Sequence, residues 1–144
     1  MNNTKNITVT NSTPKYFPTR KNQNSSVIIS NTEGDTSVTS TVPLSTFEYI
    51  KLTLRTNDYD AFAVEVPVGG SNRYYDAYTK FFGGDGSVCY EKCARITINP
   101  SDNTISISRR HDITTTVSTG VSTYSTPDHN FYFVKIEGVF STID

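Results

Sequence analysis

The sequence predicts an all-β fold: an antiparallel β-sandwich of jelly-roll-like type with an extended N-terminal arm. The first observation is composition: charged residues make up only 19% and hydrophobic residues only 35% of the chain, and much of the remainder is Thr, Ser and Asn. Thr and aromatic residues favour strands, and Asn and Ser favour turns. The second observation is a series of roughly eight or nine short strand patterns separated by turn signals, which is typical of a sandwich. The length of 144 residues fits one domain with an appended segment.

The N-terminal third differs in composition from the rest of the chain. Residues 1–44 are rich in Asn, Ser and Thr and contain few large apolar side chains. Short candidate strands lie at Ile7–Thr10, Val27–Ser30 and Ser37–Val42. These segments have too little apolar surface to form a core, so we expect them to be either flexible or ordered on a partner. The predicted domains are therefore an arm, 1–44, and a sandwich, 45–144.

The strand signals strengthen after the arm. Between Phe47 and Arg55 the side chains alternate strictly, which predicts a strand with one buried face. The face predicted to be buried consists of Ile50, Leu52 and Leu54, and the opposite face of Tyr49, Lys51, Thr53 and Arg55. Two further strands are predicted at Ala61–Val66, ended by Pro67, and at Tyr74–Phe82, ended by a glycine-rich turn.

The second half of the chain predicts a long central strand and its return. The predicted strands are Val88–Ile98, Thr104–Ser108 after the turn Asn99–Asn103, one bent or two short strands in Asp112–Tyr124, and Asn130–Phe140. In a regular central strand, the face predicted to be shared consists of Val88, Tyr90, Ala94, Ile96 and Ile98. In the last strand, Tyr132, Val134 and Ile136 are expected to share a face.

The two cysteines of this central strand lie on its other face. Cys89 and Cys93 are four residues apart, about 13 Å on a straight strand, which is too far for a disulfide within it. Free thiols are the favoured interpretation, with a bond across a bulge or between chains as the alternative. The spacing is also a poor zinc signature, and no metal or other cofactor is predicted.

Charge and hydropathy exclude two classes of partner. The net charge is −1, and Arg20-Lys21 and Arg109-Arg110 are the only basic pairs, so no nucleic-acid surface is predicted. No apolar run is long enough to span a bilayer.

The N-terminal residues lack the apolar segment of a signal peptide, which predicts synthesis in a cytosol.

No residue pattern indicates catalysis. The two histidines, His111 and His129, each follow or precede an aspartate, but no nucleophile motif accompanies them. The glycine-rich segment Gly83–Gly86 fits a hairpin turn and does not open a helix, so it is not a phosphate loop. We therefore predict that the chain has no catalytic residues.

The aromatic residues supply the candidate binding surface. The chain has nine Tyr, eight Phe and no Trp. The candidate surface residues are Arg73, Tyr74, Tyr75, Asp76 and Tyr78. Clustered tyrosines beside polar groups can stack on sugar rings or anchor a protein interface. The alternative is that alternate members of the cluster only fill the core.

Three phrases carry a resemblance to a known family. They are Leu44–Leu52 (LSTFEYIKL), the pair Ala94–Ile98 (ARITI) and Asn103–Ile107 (NTISI), and Phe133–Val139 (FVKIEGV). Residues 44–140, which contain these phrases, resemble the C-terminal domains of tailed-bacteriophage virion proteins, such as fibre and receptor-binding heads. The phrases resemble the first core strand, the central hairpin and the closing strand of such domains.

This resemblance implies a trimeric, non-enzymatic sandwich located in a virion. Because fibres normally have a long shaft, the short lead before the domain favours a capsid decoration, head-fibre or baseplate accessory protein. Residues 1–44 would then dock on other virion proteins, Tyr49, Lys51 and Arg55 would contact sister subunits, and Arg73–Tyr78 with Gly83–Gly86 would form loops of a distal surface that binds a host-surface glycan. The alternative function is a free-standing carbohydrate- or cell-surface-binding module.

Overall fold

The computed structural model describes residues 24–57 and 59–141, and it confirms the predicted antiparallel β-sandwich. The strands are β1 (Asn24–Ser30), β2 (Ser37–Thr39), β3 (Tyr49–Thr56), β4 (Tyr59–Pro67), β5 (Arg73–Phe82), β6 (Val88–Asn99), β7 (Thr104–Thr116), β8 (Val121–Ser125) and β9 (Tyr132–Ser141). The described residues contain one further element, a single 3-10 turn at Leu44–Thr46. No helix among them is long and apolar enough to cross a membrane.

The first sheet joins strands that are far apart in the sequence. Its order is β1-β9-β3-β4, with β9 inserted between β1 and β3. Only β3 and β4 form a hairpin, whereas β9 pairs with β3 and with β1 over long sequence separations. This sheet is complete only when both ends of the described chain meet.

The second sheet is mostly local. Its order is β2-β7-β6-β5, and β8 pairs with β7. Strands β5, β6, β7 and β8 follow one another as a meander, and the β5–β6 register runs without interruption from Arg73 to Phe82. The long strand β7 pairs with β2 through its first residues and with β8 through its last.

The core lies between the two sheets and confirms the predicted alternation. Ile50, Leu52 and Leu54 of β3 are fully buried, as are Ile96 and Ile98 of β6. These side chains belong to one hydrophobic cluster that spans both sheets. The sheets are therefore held together by apolar burial, about 1.5 to 3 kcal/mol for each fully buried aliphatic side chain.

The structure differs from the prediction in where the sandwich begins. Strand β1 pairs with β9, strand β2 pairs with β7, and Leu44 is fully buried in the core. Residues 24–44 thus belong to the sandwich and do not form an arm. They find their apolar surroundings in distant parts of the chain, which local composition does not reveal. The candidate strand Ile7–Thr10 lies outside the described residues.

Strand β7 joins two segments that the sequence pattern separated. The predicted strand Thr104–Ser108 continues to Thr116 through a bulge, since the β6–β7 register slips between Cys93 and Arg95 of β6. Arg109 lies in the bulge with a φ of 52°, the left-handed region. One long strand, bent at the bulge, therefore pairs with β2 before the bulge and with β8 after it.

A second bulge corrects the predicted face of β9. The β3–β9 register shifts near Lys135, so that Phe133 and Ile136 both face the core and are fully buried. The prediction that Tyr132 and Val134 share a face with Ile136 is therefore wrong. Successive side chains of a strand point to opposite faces. One extra residue at the bulge therefore places each residue before it on the face opposite to the one that regular alternation predicts.

A buried polar cluster marks the point where the apolar core ends. The Asn130 side chain, 4% exposed, donates from Nδ2 to the Cys93 carbonyl at 2.9 Å and to the Asp112 carboxylate at 2.9 Å. The Lys92 ammonium contacts the other Asp112 oxygen at 3.2 Å. These bonds tie the connection before β9 to the middle of β6 and β7.

Candidate functional site

The second sheet turns one face to the core and one to solvent. The solvent-facing side, called here the outer aromatic face, consists of Tyr74, Asp76, Tyr78, Lys80 and Phe82 of β5, Glu91, Cys93, Arg95 and Thr97 of β6, His111 and Ile113 of β7, and Tyr124 of β8. More than half of each of Tyr74, Tyr78, Phe82 and Tyr124 is exposed, from 52% to 66%. Most large hydrophobic residues that the described chain exposes are therefore grouped on this face or at its end.

The best-defined contact on this face joins Asp76 and Arg95. They are directly opposite each other on β5 and β6. The guanidinium donates to both carboxylate oxygens, from Nε at 2.6 Å and from an Nη at 2.7 Å. The same guanidinium lies over the Tyr74 ring, 5.2 Å from its centroid. A bidentate pair stacked on an aromatic ring is held in one orientation before any ligand arrives.

The charges of this pair reinforce each other. The hydrogen bond from Arg95, together with the positive charges of Arg95 and Arg109, lowers the pKa of Asp76. The hydrogen bond to Asp76 in turn raises the pKa of Arg95. Both groups are therefore charged at neutral pH, and the surface presents a fixed dipole beside an exposed tyrosine.

A shallow depression lies next to this pair. Its volume is about 310 Å³, and Asp76, Cys93, Ala94, Arg95 and Arg109 line it. Arg109 contributes to this lining from the β7 bulge, where the β6–β7 register slips. Two guanidinium groups, a carboxylate and a nearby aromatic ring are groups that can hydrogen-bond and stack on a polar ligand.

A second polar row lies beside Tyr78. Its hydroxyl donates to Glu91 at 3.0 Å, and the Lys80 ammonium approaches the same carboxylate at 3.9 Å. Asp76, Lys80, Glu91 and Arg95 on this face therefore have partners within the chain, while the rings between them remain exposed.

One pair of residues on this face has the types found in thiol catalysis. Cys93 and His111 are directly opposite each other on β6 and β7. Burial raises the pKa of the Cys93 thiol, and the negative charges of Glu91, Asp112 and Asp76 raise it further. A thiol with a raised pKa is a poor nucleophile at neutral pH. The His111 ring lies 5.6 Å from the Tyr124 ring, so it packs on an aromatic neighbour.

Within the single chain the cysteines match the favoured interpretation, and the alternative of a bond between chains stays a prediction. Both Cys89 and Cys93 are free thiols, Cys89 buried and Cys93 partly buried. No group of three or more metal-ligating side chains is found within the described ranges 24–57 and 59–141.

The structure divides the predicted surface cluster between two faces. Tyr74, Asp76 and Tyr78 share the outer aromatic face, whereas Tyr75 packs against the hydrophobic core. Arg73 also points to the other side, where its guanidinium lies over Gly69. Alternation along β5 causes this division, since neighbouring residues in a strand point to opposite faces. The strand predicted at Tyr74–Phe82 is confirmed as β5, so the loops that the resemblance implies around Arg73–Tyr78 are not present there.

Sequence reasoning missed Arg95, Arg109 and Glu91 as members of this surface. A hairpin across Gly83–Gly86 was evident in the sequence, but the register that places Asp76 opposite Arg95 depends on how that turn closes. In the structure, the Gly83 amide donates to the Val88 carbonyl at 2.8 Å and sets this register.

The second predicted surface lies on the first sheet. Tyr49, Lys51 and Arg55 point away from the core on β3, as the alternation predicts. Lys51 lies between Glu65 of β4 and Glu137 of β9 in register. This face is a mixture of opposite charges and exposes few large apolar groups, and its role as a subunit interface stays a prediction.

Comparisons of the chain with protein-family models, with curated proteins and with solved structures find no match in any of the three.

Proposed function

We propose that the chain is a non-enzymatic structural protein of a bacteriophage particle, an auxiliary capsid or tail component that presents the outer aromatic face for attachment. Two arguments support this proposal. The first is the resemblance of three sequence phrases to virion receptor-binding heads. The second, which carries the proposal, is the concentration of exposed aromatic rings on one regular sheet face of the sandwich.

Such a face fits binding better than chemistry. Large exposed aromatic residues grouped on one surface are typical of interaction sites, and tyrosines are frequent energetic anchors in interfaces. The bidentate ion pair between Asp76 and Arg95 already fixes two charged side chains beside these rings, and Lys80 lies 3.9 Å from Glu91. A partner therefore meets a surface whose side chains lose little further freedom on binding.

Docking on the particle is assigned to the N-terminal residues. Since residues 24–44 are part of the sandwich, 1–23 remain as the segment that could reach a neighbouring virion protein. We expect several copies of the chain to associate as a homo-oligomer.

The proposal is tested on purified particles of the phage whose genome encodes the chain. Mass spectrometry of gradient-purified particles should find the chain in a fixed ratio to the major capsid protein. A variant lacking residues 1–23 should keep its β-sheet circular dichroism spectrum and be lost from the particles. Particles that never contain the full chain would contradict the virion proposal, and particles that retain the shortened chain would contradict the docking role alone.

Attachment is tested separately on the outer aromatic face. Replacing Tyr74, Tyr78 and Tyr124 with Ala should reduce adsorption of particles to host cells without changing their yield, because these rings are exposed. The matched control replaces Tyr132 of the first sheet with Ala. Equal adsorption by all three kinds of particle would show that attachment occurs elsewhere.

A second function, a carbohydrate-binding module, is favoured by the depression beside Tyr74. The Tyr74 ring can stack on a sugar, while the polar atoms of the neighbouring Asp76–Arg95 pair bind the sugar's hydroxyl groups. A glycan array would identify ligands of the isolated chain. Binding that is lost on Tyr74→Ala and kept on Tyr132→Ala would support this function.

A further inference from the structure

Strand β5 forms a long and regular free edge of the second sheet. It pairs with β6 along its whole length without a bulge, and no other strand of the described residues pairs with its opposite side. The other edges are interrupted or short: β1 and β4 each pair with a register shift, β2 has three residues, and β8 has five. Proteins usually protect an edge as long as β5, since its main-chain groups can accept another strand.

The free main-chain groups of β5 belong to its solvent-facing residues. The Gly83 amide, at the end of the strand, donates to Val88 of β6. Because successive residues of a strand point their amides in opposite directions, the amides of Phe82, Lys80 and Tyr78 point away from β6. The same holds for Asp76 and Tyr74. These residues can therefore bond a further strand while their side chains stay on the outer aromatic face.

Two copies of β5 placed antiparallel to each other have complementary side chains at each paired position. Centred on Tyr78, the antiparallel partners are Tyr74 with Phe82, Tyr75 with Phe81, Asp76 with Lys80, and Ala77 with Thr79. Each pair is aromatic with aromatic, acid with base, or small with small. Favourable cross-strand pairs are the unit of stability in a sheet.

We propose that two copies of this chain associate through β5, antiparallel and about a two-fold axis at Tyr78. Each Asp76 then faces the partner's Lys80, and each Lys80 faces the partner's Asp76. In the register shifted by four residues in either direction, Asp76 would face the partner's Asp76, or Lys80 the partner's Lys80. Like charges directly opposite each other are destabilising, and a shift of two residues would place Asp76 and Lys80 opposite aromatic residues and lose both opposite-charge pairs, so charge favours the central register.

The ion pairs already present within each copy extend across the contact. Arg95 binds Asp76 on one side, and Glu91 lies near Lys80 on the other. In the proposed pairing, one row across the sheets reads Arg95, Asp76, then the partner's Lys80 and the partner's Glu91. The charges alternate in sign along the whole row, and the symmetric row does the same.

The contact joins two sheets into one and keeps the outer aromatic face open. Its two-fold symmetry favours a dimer or another even-numbered assembly in place of the trimer that the resemblance implies. The proposal concerns the chain in solution, and it stands or falls independently of a virion location.

Charge exchange tests the proposal on the full chain by sedimentation velocity over a dilution series. The wild type should form a dimer, and Lys80→Asp or Asp76→Lys should each weaken it at least about tenfold, since each change places like charges at two symmetric positions. An equimolar mixture of the two variants should recover the dimer, because both cross-strand pairs are then opposite in charge. The matched control Lys135→Asp, on the first sheet, should leave it unchanged. A monomer at every concentration, or an assembly insensitive to both variants, would overturn the proposal.

A cross-link tests the register. Only residue 78 faces its own copy, at the separation of about 5.5 Å between Cα atoms that a disulfide accepts. Tyr78→Cys, made with Cys93→Ser because Cys93 lies opposite Tyr78 in the same chain, should give a covalent dimer on mild oxidation. Lys80→Cys in the same background should not. Equal cross-linking at both positions would contradict the register, and none at either would contradict the contact.

Discussion

The two sheets of this sandwich are assembled in different ways. The first combines β1 and β9 with the β3–β4 hairpin, so that its hydrogen bonds join the two ends of the described chain. The second is a meander of neighbours from β5 to β8. Their outer faces differ as well, because the first is a mixture of charges and the second groups exposed aromatic rings. The comparison indicates that the first sheet closes the fold, while the second carries the surface proposed for binding.

Deleting residues 1–44 should have the largest effect on this division of roles. The deletion removes β1, β2 and the buried Leu44, which exposes the β9 edge and opens the core. We expect the cooperative thermal unfolding transition, followed by circular dichroism, to be lost. Deleting only 1–23 should retain it. A cooperative transition in the chain that lacks residues 1–44 would show that the sandwich folds without β1 and β2.

Gly138→Ala should destabilise the first sheet by about 3 kcal/mol. A Cβ at Gly138 would clash with the ring of Phe47, which is 5% exposed and stacks on Phe140 with ring centroids 6.2 Å apart. Chemical denaturation measures the loss. Gly70→Ala is the matched control, because a Cβ at Gly70 has no neighbour within 4 Å. A similar small change in both variants would argue against close packing at Gly138.

Asn130→Ala should cost about 2 kcal/mol, since it removes the hydrogen bonds that hold the middle of the second sheet. The Asn130 side chain is the buried donor to the Cys93 carbonyl and to Asp112. The loss should appear as a lower denaturant midpoint and as faster amide exchange in β6 near Cys93. Ser101→Ala, in the exposed turn before β7, should change neither quantity.

Asp76→Asn should have the smallest effect, and that effect should depend on pH. Hydrogen bonding to Arg95 lowers the pKa of Asp76 in the folded chain, so its contribution to stability is present above the ordinary pKa of 3.8. This contribution is lost as the pH falls through the lower, folded-state pKa. The stability difference between wild type and Asp76→Asn should therefore shrink as the pH is lowered from neutral through the acid range. A difference independent of pH would contradict this linkage.

Much of the secondary structure could be predicted because it depends on short-range alternation. The pattern of Ile50, Leu52 and Leu54 predicts both the strand and its buried face, and the structure confirms them. The bulges at Arg109 and near Lys135 could not be predicted in this way. A bulge adds one residue without an obvious change in composition, so the faces of β9 were assigned incorrectly before it.

The candidate surface was predictable only in part for a related reason. Aromatic clustering in the sequence indicated Tyr74 and Tyr78, but the partners that complete the surface come from β6 and β7. Arg95 becomes a member because the turn after β5 places it opposite Asp76. The strand period also removes Tyr75 from the surface, since it faces the core.

Composition and the period of two were sufficient to establish an all-β chain, most of its strands and the buried side of β3 and β6, because these properties depend on each residue and its immediate neighbours. Three features required the folded chain: the inclusion of residues 24–44 in the sandwich, the bulges, and the assembly of the outer aromatic face. Each depends on which distant strands become neighbours and in which register. That choice is made by the burial of the whole core and not by any local segment.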